Sequence, residues 1–549
     1  MEKKVVWLIA AAILVQLAGA WCIDVMDVDS AQYASISLEM LKSHSFLQVH
    51  DFGRDYLDKP PLLFWVSSLS FWVLGISQFT FRVFPVLISV GVGATACYRF
   101  CKLYYTRQTG YLAALFYLTS QTVFLMAFDL RTDSLLTAAV IMAIAEFAWY
   151  LEKKTWIHLL AGSVALGLAM LAKGPIGLIV VIFALGAQVL MTRNWKMLFN
   201  WHWLVSFLIV CLILIPMSIG LYQQFDQHPE KLVNGLHHVS GLRFYYWGQS
   251  FGRVTGESPW KNDTDKLFLI HSYLWSSLPW SLLTLFALFY KIRNFSRSKE
   301  YMTTGAFLLT ITALSFSAYK LPHYINVIIP LGSILSAWFV TEVYSRPAER
   351  IIRLTIRIIQ GILLTGLWSI AGLLAWFVFP LTRADLFLLI LIPALAAAIY
   401  YWVNRKGTTV LRLVLPSAIT IIAVNLFMNV FFYPNLLNYQ APSVLAKFVV
   451  AAKIPVNRFF VYEDGPTGSM DFYAGQIVQS INLMQLKTER QPVWLYIPKS
   501  KLPQLLQAVH SFTLVREVPA YPVTRLNIKF LNPRLRPAAV ELIDLVRIN

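Results

Sequence analysis

Carboxylates gather directly after the first apolar run of this chain. Asp24, Asp27 and Asp29 follow the run Val5–Ile23 and precede Gln32–Met40, where apolar residues recur at helical spacing. A carboxylate placed there can exchange a proton with a substrate or orient it. The same three acids could equally form a solvated loop, and the residues alone leave both interpretations open.

A lysine with acidic and aromatic neighbours ends the same polar segment. Tyr56, Asp58 and Lys59 come directly before Pro60 and Pro61, and the two prolines stiffen the backbone at this point. A lysine at headgroup depth is often only an anchor that reaches to the interface. Because an anchor does not need Asp58 and Tyr56 beside it, we expect Lys59 to bind a ligand.

Two acids and an arginine stand together between two later apolar runs, as Asp129, Arg131 and Asp133. Ionisable residues at the depth of a membrane are costly and usually have a function. The simpler alternative is a local salt bridge between Arg131 and one of the acids.

Two lysines precede proline turns at the ends of other apolar runs. Lys173 stands before a Gly-Pro pair, and Lys320 begins a Lys-Leu-Pro-x-Tyr turn that also carries His323 and Tyr324. A longer polar segment, 223–266, adds further imidazoles and guanidinium groups, namely His237, His238, Arg243 and Arg253.

All of these side chains can be drawn onto one face of a membrane, where they would form a single pocket. Its acidic side would consist of Asp29, Asp58 and Asp133. Its cationic side would consist of Lys59, Arg131, Arg253 and Lys320. Arg and Lys bind phosphate through charge-assisted hydrogen bonds. The pocket therefore suits an anionic, phosphorylated substrate, with a carboxylate left for acid–base or orienting work.

The composition predicts that a membrane positions these residues. Of 549 residues, 57% are hydrophobic and only 13% are charged, whereas soluble proteins have about 25% charged residues. This excludes a soluble enzyme, a disordered chain and a fibre. The four cysteines lie in or beside apolar runs and are interpreted as buried hydrophobic residues. We attribute the net charge of +18 to cytoplasmic loops and predict no nucleic-acid partner.

Thirteen apolar segments are long enough to be interpreted as spanning helices, which need about 20 residues each. They are Val5–Ile23, Phe81–Phe100, Gly110–Phe128, Ser134–Leu151, Trp156–Leu171, Gly174–Met191, Trp203–Tyr222, Leu267–Tyr290, Tyr301–Ser317, Pro322–Val343, Thr355–Phe379, Leu386–Val403 and Val410–Phe432. With the N-terminus inside and an uncleaved first span, every strongly basic loop is then cytoplasmic, as the positive-inside rule requires. Counting Pro61–Gly75 as a span would place these basic loops outside, against the rule, so we interpret this segment as an interfacial helix.

The remainder of the chain, 434–549, is predicted to be a small periplasmic α/β domain after a membrane domain of residues 1–433. Its short apolar runs alternate between strand and helix patterns. Strands are predicted at Arg458–Tyr462, Val493–Ile497 and Thr513–Val518, and helices at Val444–Ala452 and Lys501–Val509.

Taken in order, the polar motifs resemble those of the GT-C glycosyltransferases that use polyprenyl-phosphate sugars. Within that family they are similar to the group of aminoarabinose (lipid A) transferases and protein O-mannosyltransferases. The resemblance covers roughly Asp24 to Tyr324. Its motifs are Asp29 with the following Tyr-Ala and Ser-x-Glu-Met, Tyr56-Leu57-Asp58-Lys59-Pro60, Arg131-Thr132-Asp133, Lys173-Gly174-Pro175 and Lys320-Leu321-Pro322-x-Tyr324. It implies a GT-C membrane fold with interfacial helices in the first outer loop.

The resemblance also implies an activity, namely inverting transfer of a sugar from undecaprenyl phosphate to an envelope acceptor at the periplasmic face of the bacterial inner membrane. It assigns Asp29 as catalytic acid or base and Asp133 as the second carboxylate. Lys59 and Arg253 would bind the lipid phosphate, and Tyr56 and Tyr324 would line its site. The remaining candidates for substrate binding are Asp58, Arg131, Lys173, Lys320 and His323.

Some residues depart from the family pattern. Ser30 stands where the family often has Glu, Asp58 replaces a longer Glu, and Gly248 occupies a position where some relatives have His. These departures argue against a metal bound jointly by a carboxylate and that His, although His237 and His238 could supply ligands to a divalent cation.

Three functions stay open. The first expectation is transfer to lipid A, as by an aminoarabinose transferase, and the second is the same chemistry on protein Ser or Thr. The third, a transporter of lipid-linked glycans, predicts charges at mid-span and an inverted repeat. The apolar runs are nearly uncharged, which disfavours transport. The identity of the sugar does not follow from the sequence.

Overall fold

The computed structural model describes residues 2–548 apart from 234, 251, 253–261, 405–407, 466, 490, 508 and 510. Each of the thirteen predicted apolar segments coincides with a helix or a bent pair of helices. Within the described residues, eight helices are long and apolar enough to cross a membrane, and two bent pairs raise this number to ten. The other three predicted segments correspond to shorter apolar helices, so the count of thirteen spans stays a prediction. The chain is a multi-pass helical membrane protein.

The helices of the membrane part are numbered in chain order. They are α1 Glu2–Cys22, α2 Asp29–Ser43, α3 Leu62–Leu74, α4 Gln78–Tyr104, α5 Arg107–Leu118, α6 Gln121–Phe128, α7 Thr132–Lys153, α8 Trp156–Lys173, α9 Ile176–Thr192, α10 His202–Leu221, α11 Gly241–Arg243, α12 Phe268–Ser276, α13 Ser281–Arg293, α14 Met302–Ser315, α15 Ile329–Phe339, α16 Arg350–Leu373, α17 Arg383–Asn404 and α18 Thr409–Phe427.

The first outer loop contains α2, α3 and a short hairpin of β1 His50–Asp51 and β2 Arg54–Asp55. At 13 residues, α3 is too short to span a membrane. Trp72 at its end is 74% exposed, which is the behaviour of a helix lying at an interface. Gly75 ends the helix with φ +82°, a conformation that favours glycine. The predicted helix is present, and its place at the membrane interface stays a prediction.

Two spans are broken, and their breaks contact each other. The pair α5 and α6 bends by 51°, and the pair α12 and α13 bends by 118°. Gln121 N donates to Leu278 O at 3.2 Å, and Trp280 Nε1 donates to Thr119 Oγ1 at 2.9 Å. Backbone groups freed at such breaks must be satisfied inside the protein. The breaks thus support one another and set the direction of α6 toward Asp129.

A five-stranded sheet forms the core of the C-terminal α/β domain, in the order β4-β3-β5-β7-β6. Strand β3 runs parallel to β4 and β5, while β7 runs antiparallel to β5 and β6. The strands are β3 Phe459–Tyr462, β4 Gln479–Ile481, β5 Val493–Pro498, β6 Thr513–Ala520 and β7 Glu541–Ile548, and the helices of this region are α19 Tyr433–Leu437, α20 Ala441–Ala451, α21 Gly468–Ala474, α22 Leu483–Thr488, α23 Leu502–Leu506 and α24 Ile528–Leu531.

The three strands and two helices predicted here are present with bounds shifted by a few residues. Two strands were not predicted, β4 and the internal strand β7. The helical run Thr409–Leu437 passes the predicted domain boundary at 433, and that boundary stays a prediction.

The C-terminal domain packs on the first outer loop. Asp24 pairs with Lys447, and the Asp27 carboxylate accepts hydrogen bonds from Ser469 N at 3.2 Å and Ser469 Oγ at 2.6 Å. Burial raises the pKa of Asp27 to about 6 against the opposing effect of these hydrogen bonds. A Cβ added to Gly468 would lie 2.6 Å from the backbone of Ala31. Helices α21 and α2 are therefore in backbone contact beside Asp29.

Candidate functional site

Asp29 is the first residue of α2, and its side chain pairs with Arg131. Arg131 directly precedes α7 and also contacts Asp129 at 3.0 Å. Burial acts to lower the pKa of Arg131, but the two carboxylates outweigh it and hold the pKa above its ordinary value. The guanidinium therefore keeps its positive charge. The Asp29 side chain that pairs with it is 39% exposed. The predicted salt bridge of Arg131 is present, and its role in substrate binding stays a prediction.

His323 connects this pair to the second predicted carboxylate. Its Nδ1 lies 3.4 Å from Arg131 Nη1, and its Nε2 lies 3.9 Å from Asp133 Oδ2. Because a guanidinium can only donate hydrogen bonds, Nδ1 must be the acceptor, which leaves the proton of a neutral ring on Nε2. That proton then faces Asp133.

Lys173 completes the row. It ends α8 and forms an ion pair with the buried carboxylate of Asp133. Its Nζ also lies 4.4 Å from the ring centroid of Tyr324, a cation–π distance. Gly174 follows with φ +93°, so a glycine is what allows the chain to turn here. Asp29, Arg131, His323, Asp133, Lys173 and Tyr324 therefore form one continuous row of contacts.

A cavity of about 560 Å³ opens beside this row. Most of its wall is apolar and comes from α9 and α14, for example Ile179, Phe183 and Leu314. Its polar lining consists of Lys59, Asp133, Lys173, Gln249, Ser250, Ser317 and Tyr324. The cavity is therefore amphipathic, with an apolar channel that ends at two lysines and a carboxylate.

Lys59 lies at this polar end of the cavity. Among the described residues, no hydrogen bond or ion pair of its ammonium is found. Two nearby buried oxygens, Asp58 Oδ1 and Gln249 Oε1, also have no hydrogen-bond donor in the part of the chain that the structure describes. Gln249 Nε2 donates to the carbonyl of Asp58 and so ties the long loop to the lysine segment. Unpaired buried polar atoms are rare in proteins and suggest a missing ligand or water.

Two predicted residues lie at the edge of the site. Tyr56 packs edge-on against Phe64 at 6.1 Å and lines a smaller cavity on the other side of Lys59. Burial raises the pKa of Tyr56, so its phenol stays neutral. The Lys320 ammonium is buried behind the cavity and donates to the carbonyls of Ser315 and Ser317, at 3.4 and 3.3 Å. Arg253 lies outside the described residues.

Comparisons with known proteins agree with this fold. The family model of dolichyl-phosphate-mannose-protein mannosyltransferases matches residues 3–233. The crystal structure of ArnT from Cupriavidus metallidurans bound to undecaprenyl phosphate superposes with a TM-score of 0.75 at 16% identity, covering 98% of this chain and 97% of that one. The chain has a GT-C fold.

Relatives by sequence are named as sugar transferases of the same kind. The undecaprenyl phosphate-α-4-amino-4-deoxy-L-arabinose arabinosyl transferase of Edwardsiella ictaluri is 26% identical over 57% of this chain and 55% of its own. A transferase of the same name from Pseudomonas fluorescens is 23% identical over 62% of this chain and 58% of its own. The chain thus spans about half the length of the curated relatives it matches. The predicted resemblance and the predicted GT-C fold are confirmed.

Several residues of this GT-C site were not predicted from sequence. Gln249 and Ser250 line the cavity. The side-chain oxygen of Ser30 accepts a hydrogen bond from Leu130 N at 3.2 Å, and Asn326 Nδ2 donates to the Asp133 carbonyl at 3.3 Å. None of them stands in a distinctive pattern, because polar residues of loops and helix ends are common. Only their partners, about 100 and 193 residues away, reveal their place.

The donor set does not fit a divalent cation in the described ranges, where no three His, Cys, Asp or Glu side chains converge. Asp29 is paired with Arg131, and Asp133 with Lys173. His237 is exposed, and its ring faces the carbonyl of Glu230 at 3.0 Å. His237 and His238 are therefore not shown to join either carboxylate.

Proposed function

We propose that this chain transfers a sugar from undecaprenyl phosphate to lipid A, at the periplasmic face of a bacterial inner membrane. The observation that carries the proposal is the amphipathic cavity that ends at Lys59 and Lys173. A polyprenyl phosphate has the same two parts, a long apolar chain and an anionic head. The names of the relatives and of the superposed ArnT structure support the same donor.

The donor would lie with its chain along α9 and α14 and its phosphate at the two lysines. When the glycosidic bond breaks, negative charge grows on the leaving phosphate. Cations already in place stabilise that charge more in the transition state than in the ground state. Lys59 has no competing partner among the described residues, whereas Lys173 is held by Asp133. We therefore expect donor binding to change the contacts of Lys59 more than those of Lys173.

The two carboxylates differ in what they can do. Asp133 is buried and neutralised by Lys173, so it positions that lysine. Asp29 is partly exposed and is oriented by Arg131, so it can reach an acceptor. A hydroxyl acceptor needs a base, whereas a lipid A phosphate is already anionic and needs only orientation. A single displacement at the anomeric carbon inverts its configuration.

The side of the membrane on which the site lies follows from the charge of the loops. The row of contacts lies at the helix ends opposite the basic loops, and the positive-inside rule assigns those loops to the cytoplasm. The site and the C-terminal domain would then be periplasmic and the N-terminus cytoplasmic.

Mass spectrometry of lipid A from cells with and without the gene tests this function. We expect a pentose- or hexose-sized mass to disappear in the deletion strain and in strains carrying Asp29→Asn or Lys59→Ala. Asp263→Asn and Lys266→Ala serve as matched controls, because both residues are exposed and do not line the cavity. Both controls should retain the mass.

An unchanged lipid A profile in the deletion strain would refute lipid A as acceptor. Glycoproteins carrying sugars on Ser or Thr would then be compared in the same strains. Loss of the mass in the control variants as well would refute the assignment of the site.

A further inference from the structure

A second polar cavity of about 550 Å³ lies at the other end of the membrane helices. Helix α14 connects the two cavities, since Leu314 near its end lines the first and the loop before Met302 lines the second. A 14-residue helix is about 21 Å long. The second cavity is therefore separate from the proposed transferase site.

Three basic loops, which the positive-inside rule places on the cytoplasmic side, converge on this cavity. They follow α4, α13 and α15. Its lining consists of Tyr105, Tyr290, Lys291, Arg293, Asn294, Arg297, Ser298, Lys299, Trp338, Glu342, Val343, Arg346 and Glu349. Five cations and two carboxylates thus face one space.

A buried ion pair fixes the loop that carries most of these cations. Lys291 Nζ lies 3.1 Å from Glu300 Oε1, and the same oxygen accepts a hydrogen bond from Tyr105 OH at 2.6 Å. Lys291 also donates to Ser298 Oγ at 3.0 Å, and Glu300 accepts from Thr303 N at 2.9 Å. The loop between α13 and α14 is therefore held in place by its own partners.

The other four cations of the cavity are not part of this hydrogen-bond network in the described residues. Arg293, Arg297, Lys299 and Arg346 are exposed, and in the described part of the chain none forms an ion pair. Of the two carboxylates, Glu349 accepts a hydrogen bond from Tyr290 OH at 3.4 Å. The cavity therefore keeps a net positive charge that an anion can neutralise.

The neighbourhood of the cavity is apolar on one side. Phe289 and Ile292 of α13 are 58% and 53% exposed, as expected of side chains that face lipid tails. Trp338 and Tyr105 line the cavity itself, and such rings favour the headgroup level of a bilayer. Basic recesses between helices at the cytoplasmic side are known sites for anionic lipid headgroups.

We propose that this second cavity binds the phosphate headgroup of an anionic phospholipid of the cytoplasmic leaflet, with the acyl chains along α13. The phosphate would lie among Arg293, Arg297 and Arg346. A free phosphate ion has the same headgroup chemistry but lacks the chains, so the two sources can be separated by experiment.

Native mass spectrometry of the purified full-length chain tests the proposal, with dioleoyl phosphatidylglycerol and dioleoyl phosphatidylcholine as probes. The triple variant Arg293→Gln, Arg297→Gln, Arg346→Gln removes the cations of the cavity. The matched control, Lys153→Gln, Arg193→Gln, Lys196→Gln, removes three exposed cations that do not line it. Each basic residue contributes about fivefold to binding an anionic lipid, so the cavity variant should bind phosphatidylglycerol on the order of 100-fold more weakly.

The control variant should stay within about threefold of the unmodified chain, and phosphatidylcholine should not distinguish the three proteins. Equal losses in both variants would overturn the proposal, because they would indicate a general effect of charge. Displacement of phosphatidylglycerol by millimolar inorganic phosphate would overturn the lipid assignment in favour of a soluble anion. Preserved thermal unfolding of the cavity variant would show that the loss is one of binding.

Discussion

The buried pair of Lys173 and Asp133 offers a sharp test of the site through a double-mutant cycle. Both side chains are largely buried, with 13% and 5% of their surface exposed. Removing one partner of a buried pair leaves an uncompensated charge, which costs about 3–5 kcal/mol. Lys173→Met should therefore reduce the free energy of unfolding by roughly 3 kcal/mol, the lower end of that range, because the nearby His323 offers partial compensation.

Adding Asp133→Asn to Lys173→Met removes the stranded charge. We expect the double variant to recover most of the lost stability, because replacing both members of a buried pair is often nearly neutral. It should not recover sugar transfer, since the phosphate would still lack a lysine. Stability is measured by denaturant unfolding in mixed micelles, and transfer by turnover of purified protein with a polyprenyl-phosphate sugar.

The pair Lys499 and Glu517 in the C-terminal domain serves as control, because both side chains are exposed. Its cycle should show no coupling beyond experimental error. If the Lys173 and Asp133 substitutions were simply additive in stability, the pair would not be energetically coupled, and our account of the row of contacts would be refuted.

The remaining predictions concern three other parts of the structure. Burial raises the pKa of Asp471 from 3.8 to about 7. The folded state therefore binds this proton more tightly than the unfolded chain, and stability should fall as pH rises from 3.8 to about 7. Thermal unfolding of Asp471→Asn should show a flatter pH profile. Gly468→Ala should loosen α21 from Ala31, measured as faster amide exchange in α2, whereas Gly465→Ala should not, since nothing lies within 4 Å of its added Cβ. His323→Gln should retain more sugar transfer in the purified-protein assay than His323→Ala, because an amide can both accept and donate.

Each of these predictions can fail on its own terms. A pH profile of Asp471→Asn that parallels the unmodified chain would mean that another group titrates. Unchanged exchange in α2 after Gly468→Ala would mean that α21 does not hold it. Equal activity of both His323 variants would remove the imidazole from the row of contacts.

The sequence predicts much of the membrane part because spanning helices are defined by their own composition. Backbone hydrogen bonds within a helix need no distant partner, so an apolar run of sufficient length is informative by itself. Bends within these helices are harder to predict from the sequence. The break at Thr119 is stabilised by Trp280, 161 residues away, and no local pattern reports such a contact.

The three acids after the first span show where sequence reasoning reaches its limit. Asp24, Asp27 and Asp29 have the same chemistry and nearly the same position in the chain. In the structure, Asp24 and Asp27 bind the C-terminal domain, while Asp29 alone faces Arg131. The predicted importance of Asp29 rested on a resemblance, because the separation of the three acids depends on partners more than 100 residues away.

Strand β7 was missed for a similar reason. It lies between β5 and β6 in the sheet, yet the buried Asp544 and the exposed Arg547 interrupt its apolar residues. A run of eight residues with two charges inside it does not show a clear strand pattern. Its internal place in the sheet follows from pairing with two strands that precede it.

The contact between the two domains explains how a small sheet domain could influence chemistry in a membrane protein. Asp29 is the first residue of α2, and its direction depends on where that helix lies. On the domain side, Ser469 binds Asp27 and Gly468 approaches Ala31 too closely for any side chain. On the membrane side, Ser30 binds Leu130 in the turn that carries Arg131. Because α2 is held from both sides within three residues of Asp29, a shift of either domain changes the geometry of the carboxylate.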